Sequence, residues 1–298
     1  MTLRFDNRVA IVTGAGAGLG RAYARELAAR GAQVVVNDLS APAAQAVADE
    51  INASGGIALA IATNVADPDQ VTDMVTRVMA RWGRIDVLVN NAGILRDKTF
   101  SKMDLADFRL VIDVHLMGSV YCTKAVWETM KTQKYGRVIM TTSGSGIYGN
   151  FGQSNYGAAK AAVVGLMNVL SIEGRKSGIR VNAIAPNAAT GMTGDILSQE
   201  ALALLTPESV APGILFLAGD DAPTGLVLCA GAGCFSVAQT IESEGLHFAG
   251  DELSPEGIAS RFADLLDLSN GKSLPTAIDQ SVKFAEMAAG SRRRDVAA

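Results

Sequence analysis

The 298-residue sequence predicts an α/β fold, a doubly wound and mainly parallel sheet of seven strands followed by a C-terminal helical extension. Short runs rich in β-branched residues alternate with longer stretches of helical periodicity. Strands separated by helices require right-handed crossovers, which give a parallel sheet covered on both faces. The runs at 34–36 and 87–89 are continuously apolar, which is typical of strands buried on both faces.

The elements follow one another in a regular order up to about residue 238. The predicted strands are residues 9–13, 33–38, 57–63, 86–89, 137–142, 179–184 and 226–229. The predicted helices between them are residues 19–30, 43–54, 68–82, 104–131, 155–177 and 207–218. After residue 238 the alternation stops, and helices are predicted at 255–266 and 277–289. We therefore expect a core domain at 1–238 and an extension at 239–298 that packs on the same domain.

Composition excludes several classes of function. Hydrophobic residues make up 49% of the chain and charged residues 19%, which is typical of a compact enzyme rather than a disordered chain. The net charge is −4, so no basic surface for nucleic acid is predicted, and the basic run at 292–294 is interpreted as a solvated tail. No apolar run approaches the roughly 18 residues that a membrane helix needs. We expect neither nucleic acid nor a membrane as a partner.

Cysteine usage predicts a reducing compartment. Cys122, Cys229 and Cys234 are odd in number and scattered, so they indicate neither a disulfide framework nor a metal site. The chain starts with polar residues and passes directly into a strand, so no signal peptide is expected. The sequence therefore predicts a cytoplasmic protein.

A glycine-rich loop joins the first predicted strand to the first helix. Gly14, Gly18 and Gly20 permit a tight turn and a close approach of the backbone to a pyrophosphate. Gly18, Leu19 and Gly20 open the helix, whose free N–H groups and positive dipole end favour phosphates. A simple strand-to-helix turn is the alternative. The strand before the loop, the helix after it and an acid ending the second strand favour a Rossmann-like dinucleotide site.

That acid is Asp38, and it predicts NAD rather than NADP. Its carboxylate can accept both hydroxyls of the adenosine ribose. A 2′-phosphate would face a like charge, at a cost of about 4 kcal/mol for a separation of about 4 Å and an effective dielectric of about 20. No arginine or lysine follows at 39–42. The alternative is an aspartate that only caps a turn.

Three residues form the candidate catalytic group. Tyr156 and Lys160 are four residues apart at the start of a predicted helix, so they project from one face. Ser143 follows a predicted strand end, where open parallel sheets place their active sites. A nearby ammonium and a positive nicotinamide favour a phenolate, so we expect a lowered pKa for Tyr156. Ser143 would hold the substrate oxygen while Tyr156 removes its proton. An exposed pair arising by chance is the alternative for Tyr156 and Lys160.

Together these motifs resemble the short-chain dehydrogenase/reductase superfamily. They are Thr13-Gly14-x-x-x-Gly18-x-Gly20, Asn90-Asn91-Ala92-Gly93, Ser143 and Tyr156-x-x-x-Lys160. Longer stretches at 91–97, 145–153, 172–176 and 184–188 resemble the (3R)-hydroxyacyl-CoA dehydrogenase units of the peroxisomal multifunctional enzymes type 2, also called 17β-hydroxysteroid dehydrogenases type 4. The resemblance extends over essentially the whole chain and implies the dehydrogenase unit alone, with no hydratase or sterol-carrier domain expected.

The resemblance implies roles for further positions. Asn64 and Val65 would flank the adenine, Asn91 would support the cofactor, and Ala188 and Thr190 would contact the nicotinamide half. A loop at 190–199 would cover the substrate. His115 stands where the superfamily usually has an asparagine of the proton relay. A titrating histidine and a merely packed one are both open at this point.

The resemblance implies NAD-dependent oxidation of a secondary alcohol to a ketone, with (3R)-3-hydroxyacyl-CoA as the leading substrate. A hydroxysteroid or a CoA-linked steroid side chain is the closest alternative, and a non-catalytic NAD(H)-binding sensor is the alternative from another class. The substrate assignment rests on family analogy. Relatives associate through the helices corresponding to 104–131 and 155–177, so a homodimer or homotetramer is expected.

Overall fold

The structure is a computed structural model that describes residues 3–188 and 198–297. Thr190 and most of the predicted substrate loop lie outside these ranges. The chain divides into two units, Met1–Val237 and Ala238–Ala298. This division falls where the extension was predicted to begin, while its packing on the core stays a prediction.

The first unit is built on one sheet. Its strands are β1 (Val9–Val12), β2 (Gln33–Asp38), β3 (Ile57–Ala62), β4 (Val87–Asn90), β5 (Gly136–Thr141), β6 (Ile179–Asn187), β7 (Val227–Gly231) and β8 (Cys234–Ala238). Their order is β3-β2-β1-β4-β5-β6-β7-β8, and the pairs from β3 to β7 are parallel. The predicted doubly wound α/β fold is confirmed.

The sheet has one strand more than the seven predicted, counting only the described residues. A two-residue turn, Ala232-Gly233, connects β7 to β8, and both residues have positive φ, 51° and 74°. Such a turn reverses the chain into a hairpin, because parallel neighbours need a much longer connection. The sequence of the turn lacks an Asn-Gly or Asp-Gly signal, so the pattern did not reveal β8.

Helices cover both faces of the sheet. They are α1 (Gly18–Ala29), α2 (Ala41–Ala53), α3 (Pro68–Trp82), α4 (Leu105–Ile112), α5 (Gly118–Gln133), α6 (Gly144–Tyr148), α7 (Ser154–Gly174), α8 (Gln199–Leu204) and α9 (Pro207–Ala218). Helices α1 and α9 pack together in the cluster of buried residues on one face. Helices α5 and α7 pack on β4, β5 and β6. The core lies between the helices and the sheet, in which β1, β4 and β5 are fully buried.

The predicted helix at 104–131 is interrupted. A π-helical turn, Asp113–Met117, separates α4 from α5. Such single π turns insert an extra residue into a helix and re-aim the side chains around it. The turn carries His115, so the irregularity falls at a predicted site residue.

The second unit contains α10 (Pro255–Ser260), α11 (Phe262–Leu265) and α12 (Ala277–Ala297). Within it, Lys283 pairs with Glu242, their charged atoms 2.8 Å apart. In place of the single helix predicted at 255–266, the chain forms the two short helices α10 and α11.

None of the helices in the described residues is long and apolar enough to cross a membrane.

Candidate active site

The strand order places a crevice at the carboxyl edge of the sheet. From β1 the chain continues to β2 and β3 on one side, whereas β4 and β5 lie on the other. Open α/β sheets bind their ligands at such a switch point, because the loops leaving the two neighbouring strands diverge. The glycine-rich loop follows the end of β1 and Ser143 follows the end of β5, while Lys160 of α7 reaches the carbonyl of Thr141 at that end.

The glycine-rich loop is packed tightly on one side and open on the other. A Cβ on Gly20 would lie 2.2 Å from the Gly14 carbonyl oxygen, so only glycine allows this approach. Gly18 has a φ of +52°, and a Cβ there would meet no described atom within 4 Å. The open side can therefore receive a ligand close to the backbone.

Helix α1 presents a free N-terminus to that open side. Its N-cap residue is Ala17, and no side chain of the described residues caps the helix. Its first turn contains no acid. The unpaired N–H groups and the helix dipole therefore favour an anion such as a pyrophosphate.

Asp38 ends β2 beside this loop. Its Oδ2 accepts a hydrogen bond from the Gly16 N–H at 3.0 Å, and its Oδ1 accepts one from the Ser40 N–H at 2.9 Å. The carboxylate thus caps the turn, as the alternative interpretation held, yet each oxygen keeps acceptor capacity for a ribose hydroxyl. Gly16 was not singled out from sequence, although a Cβ there would lie 2.8 Å from the carboxylate. The loop and the helix end supply N–H donors for phosphates, and the carboxylate supplies acceptors for hydroxyls. This combination fits a dinucleotide.

Asn91 supports the loop from the neighbouring strand end. Its side-chain amide donates to the carbonyls of Thr13 at 2.9 Å and Gly14 at 3.0 Å. The Thr13 hydroxyl in turn accepts from the backbone N–H groups of Asn91 and Ala92 at 2.9 and 3.0 Å. Asn91 is thus placed to support the cofactor indirectly, by holding the glycine-rich loop in position. Thr13 completes this connection, a role that its place in the motif did not reveal.

The remaining predicted cofactor positions lie at the same edge. The Asn64 side chain accepts a hydrogen bond from the Ala66 N–H at 3.0 Å, which fixes the turn after β3. Val65 is buried and faces Gly118 of α5, where a Cβ would lie 2.8 Å from the valine side chain. Ala188 is buried just beyond β6. These positions fit the predicted adenine and nicotinamide contacts, which stay predictions.

Ser143 follows β5 and begins the short helix α6, which was not predicted. Its hydroxyl oxygen accepts a hydrogen bond from the Ser145 N–H at 3.2 Å. A five-residue helix is too short to give a periodic signal in sequence. Because α6 packs against α7, it brings Ser143 towards Tyr156.

Tyr156 stands in the first turn of α7 among three predicted partners. The ring of His115 meets its ring edge-on, with centroids 5.1 Å apart. The Lys160 Nζ lies 5.6 Å from the ring centroid. Burial raises the pKa of Tyr156, a hydrogen bond with Ser143 lowers it, and the charge of Asp97 raises it. The lowered pKa that was predicted from the Lys160 ammonium and a positive nicotinamide is therefore wrong for the chain by itself, because burial of the phenol has the larger effect.

Lys160 is 3% exposed and donates a hydrogen bond to the Thr141 carbonyl at 2.6 Å. No carboxylate in the described part of the chain forms an ion pair with it. Burial lowers the pKa of Lys160 to about 7. The Lys160 amine is therefore only partly protonated at neutral pH, so it can take up or release a proton at that pH.

His115 is buried in the π turn, and its surroundings bear on whether it titrates or is merely packed. Its Nε2 lies 2.7 Å from the Ile94 carbonyl oxygen, whereas its Nδ1 has no partner among the described residues. Burial, followed by the charge of Lys160, lowers the pKa of His115 to about 3. The ring is therefore neutral at neutral pH. The ring also packs closely against Gly93, where a Cβ would be 2.3 Å from the Cε1 atom of His115.

Comparison with known proteins identifies the family of the chain. The family model of short chain dehydrogenase matches residues 8–201. The chain is 44% identical to mouse peroxisomal multifunctional enzyme type 2 over 291 residues, which cover 94% of this chain and 39% of that protein. Among solved structures, it is similar to full-length peroxisomal multifunctional enzyme type 2 from Drosophila melanogaster. That match has a TM-score of 0.83 and 39% identity, and covers 95% of this chain and 50% of the other.

A second solved structure is a 7α-hydroxysteroid dehydrogenase in complex with NADH and 7-oxoglycochenodeoxycholic acid. The TM-score is 0.72 with 31% identity, over 77% of this chain and 95% of the other. The chain spans about two fifths of the mouse relative and half of the Drosophila one. The superfamily and the resemblance predicted from sequence are thus confirmed. The chain belongs to the short chain dehydrogenase family and is a nicotinamide-dependent oxidoreductase.

Proposed function

We propose that this chain oxidises (3R)-3-hydroxyacyl-CoA to 3-oxoacyl-CoA with NAD. The observation that carries the reaction class is the meeting of Ser143, Tyr156 and Lys160 beside the glycine-rich loop, at the edge where such sheets bind nucleotides. The substrate is supported by the similarity to the multifunctional enzymes type 2 over 94% of this chain. Since the chain spans only part of those proteins, the proposal concerns the dehydrogenase reaction alone.

Each side chain has a distinct task in this reaction. Ser143 donates a hydrogen bond to the substrate oxygen and orients it towards Tyr156. Tyr156 removes the hydroxyl proton as the general base. Lys160, whose pKa is lowered to about 7, stabilises the phenolate when charged and can pass the proton onward. NAD, which the glycine-rich loop, the N-terminus of α1 and Asp38 would hold, would supply the acceptor for the hydride of the carbinol carbon.

Asp38 supports NAD as the cofactor. Its carboxylate lies at the end of β2 and accepts two backbone hydrogen bonds, so its position is fixed beside the loop. We expect Asp38→Ser to move the ratio of kcat/KM for NAD over NADP by at least about 10-fold towards NADP, because a charge repulsion is removed. The matched control is Asp49→Ser on α2, which should leave the ratio unchanged. A wild-type preference for NADP would refute this assignment.

A hydroxysteroid is the second candidate substrate, favoured by the similarity to the 7α-hydroxysteroid dehydrogenase. The deciding experiment follows NADH absorbance with (3R)- and (3S)-3-hydroxyacyl-CoA of several lengths and with 7α- and 17β-hydroxysteroids. Turnover confined to the (3R) thioesters supports the proposal, and turnover confined to a steroid overturns it. Tight NADH binding without turnover of any secondary alcohol would favour a sensor.

Assembly and location form part of the proposal. Leu105 and Leu110 on α4 and Val169 and Ile172 on α7 are large apolar side chains that are 41–80% exposed. An interface between copies of the chain would cover these side chains, which supports a homodimer or homotetramer. Light scattering after size-exclusion chromatography should give a mass of two or four chains, and the mass of one chain would refute this.

We also propose the cytoplasm as the location of the protein, to be tested by cell fractionation.

A further inference from the structure

Gln153 connects three segments that surround the catalytic residues. Its side-chain oxygen accepts a hydrogen bond from the Ser145 hydroxyl at 2.7 Å and one from the Asn150 amide at 3.0 Å. Its amide nitrogen donates to the Asp97 carboxylate at 2.6 Å. Ser145 belongs to α6, Asp97 to the loop after β4, and Gln153 directly precedes α7. One side chain therefore joins the segment after Ser143 to the segment before Tyr156.

A second set of hydrogen bonds fixes the same loop to α7. The buried side chain of Asn155 donates to the Arg96 carbonyl at 2.9 Å and accepts from the Tyr156 N–H at 2.7 Å. The Lys98 N–H donates to the Gly152 carbonyl at 2.9 Å. The loop that carries Asp97 is thus held along the start of α7, next to the tyrosine.

We propose that Asp97 and Gln153 are positioning residues, which set the separation of Ser143 and Tyr156, and that the Asp97 carboxylate also acts electrostatically on the phenol. The proposal rests on the proposed function, in which Ser143 and Tyr156 contact the substrate. It assigns a role to an exposed acid that lies 59 residues before the tyrosine in sequence. The side-chain hydrogen bonds of Asp97 and Gln153 involve neither Ser143 nor Tyr156, so both residues would act through others.

The charges around the phenol support the electrostatic part. Lys160 faces it from one turn along α7, and His115 faces it from the π turn as a neutral ring. Asp97 lies in the loop after β4, which hydrogen bonds hold along the start of α7, and its charge raises the pKa of Tyr156. A nearby anion disfavours the phenolate, so removal of its charge should make the phenol more acidic.

Three variants separate the two effects. Asp97→Asn keeps an acceptor for Gln153 and removes the charge, so the acid limb of the pH–kcat profile should move a few tenths of a unit to lower pH. Gln153→Ala keeps the charge and removes the connection, so kcat should fall by about 10-fold without that movement. Asp97→Ala should show both changes. The control is Asp107→Asn, an acid that pairs with Arg96 and Lys98 and should leave the profile unchanged.

A titration without substrate distinguishes this proposal from the proposed function. With 13C-labelled tyrosine, the chain gives five tyrosine signals, and the Tyr156 signal is assigned by its loss in Tyr156→Phe. Asp97→Asn should lower the pKa of Tyr156 relative to wild type whatever the substrate is. An unchanged tyrosine titration in Asp97→Asn overturns the electrostatic part. A Gln153→Ala enzyme with kcat within twofold of wild type, on whichever secondary alcohol the protein oxidises, overturns the positioning part.

Discussion

The two ends of β5 hold two buried cations in opposite ways. Arg137 lies at the start of the strand, and Lys160 reaches the carbonyl of Thr141 at its end. Both cations are 3% exposed. Transfer of a charge into a protein interior is costly unless hydrogen bonds or opposite charges compensate it, so the two sites face the same physical problem.

The arginine site has more hydrogen bonds than the lysine site, although burial lowers the pKa of Arg137 as well. The Arg137 guanidinium donates to the carbonyls of Gly219 at 2.8 Å and Asp220 at 3.0 Å, and to two further carbonyls of Gly136 and Gly178. It also stacks over the ring of Tyr135, 4.1 Å from the centroid. These hydrogen bonds connect β5 to the segment before β6 and to the segment after α9.

The lysine site is compensated by one hydrogen bond, to Thr141. Its pKa is lowered to about 7, so the proton is held weakly at the pH of a cell. Burial alone therefore does not identify a functional cation. A buried cation becomes chemically useful where compensation is incomplete, and perturbed pKa values therefore gather at catalytic sites.

The largest effect is expected at the phenol beside Lys160. Tyr156→Phe should reduce kcat by about 1,000-fold, since it removes the group that exchanges the proton with the substrate. The affinity for NADH, measured by fluorescence, and the Tm should stay close to wild type. Near-normal turnover would show that the catalytic assignment at this end of the sheet is wrong.

Lys160→Met is expected to reduce kcat by about 100-fold while the free energy of unfolding stays equal or rises. The methionine fills the same space without burying an uncompensated charge. Activity assays and urea unfolding measure the two effects, and Lys124→Met on the exposed side of α5 serves as the control. A loss of stability would mean that the buried charge of Lys160 is compensated to the same degree as that of Arg137.

Arg137→Met should instead lower the free energy of unfolding by about 3 kcal/mol, because the carbonyls it serves lose their donors. Any loss of kcat should follow from unfolding alone and disappear at low temperature. The exposed Arg77→Met on α3 is the matched control. Unchanged stability would remove the contrast between the two ends of β5.

A smaller effect is expected from pH. Lys160 has a folded pKa of about 7, below the ordinary lysine value of 10.5, so above pH 7 the unfolded chain binds more protons than the native one. The free energy of unfolding of wild type, relative to Lys160→Met, should therefore rise from pH 7 towards pH 10, by about 1 kcal/mol per unit. Urea unfolding at pH 7.5 and 8.5 tests this, and parallel behaviour of the two proteins would contradict it.

Much of the fold could be predicted because its signals are local. Helix α3 begins and ends as predicted, since Pro68 starts it and Gly83 follows it with a φ of +70°. The strand β2 was also predicted at its observed bounds. The short helix α6, the π turn at His115 and the strand β8 were not predicted. Their sequences carry no periodic or turn signal, and packing against neighbouring elements stabilises them.

The site divides in the same way. The sequence alone determined the glycine-rich loop, the acid at the end of β2 and the spacing of Tyr156 and Lys160, because these depend on residues that are neighbours along one turn or one helix. The tertiary structure decided that Lys160 lies without an ion-pair partner among the described residues, that His115 is neutral and that Asp97 reaches Gln153. Those properties depend on burial and on contacts between residues far apart in sequence, which no local pattern records.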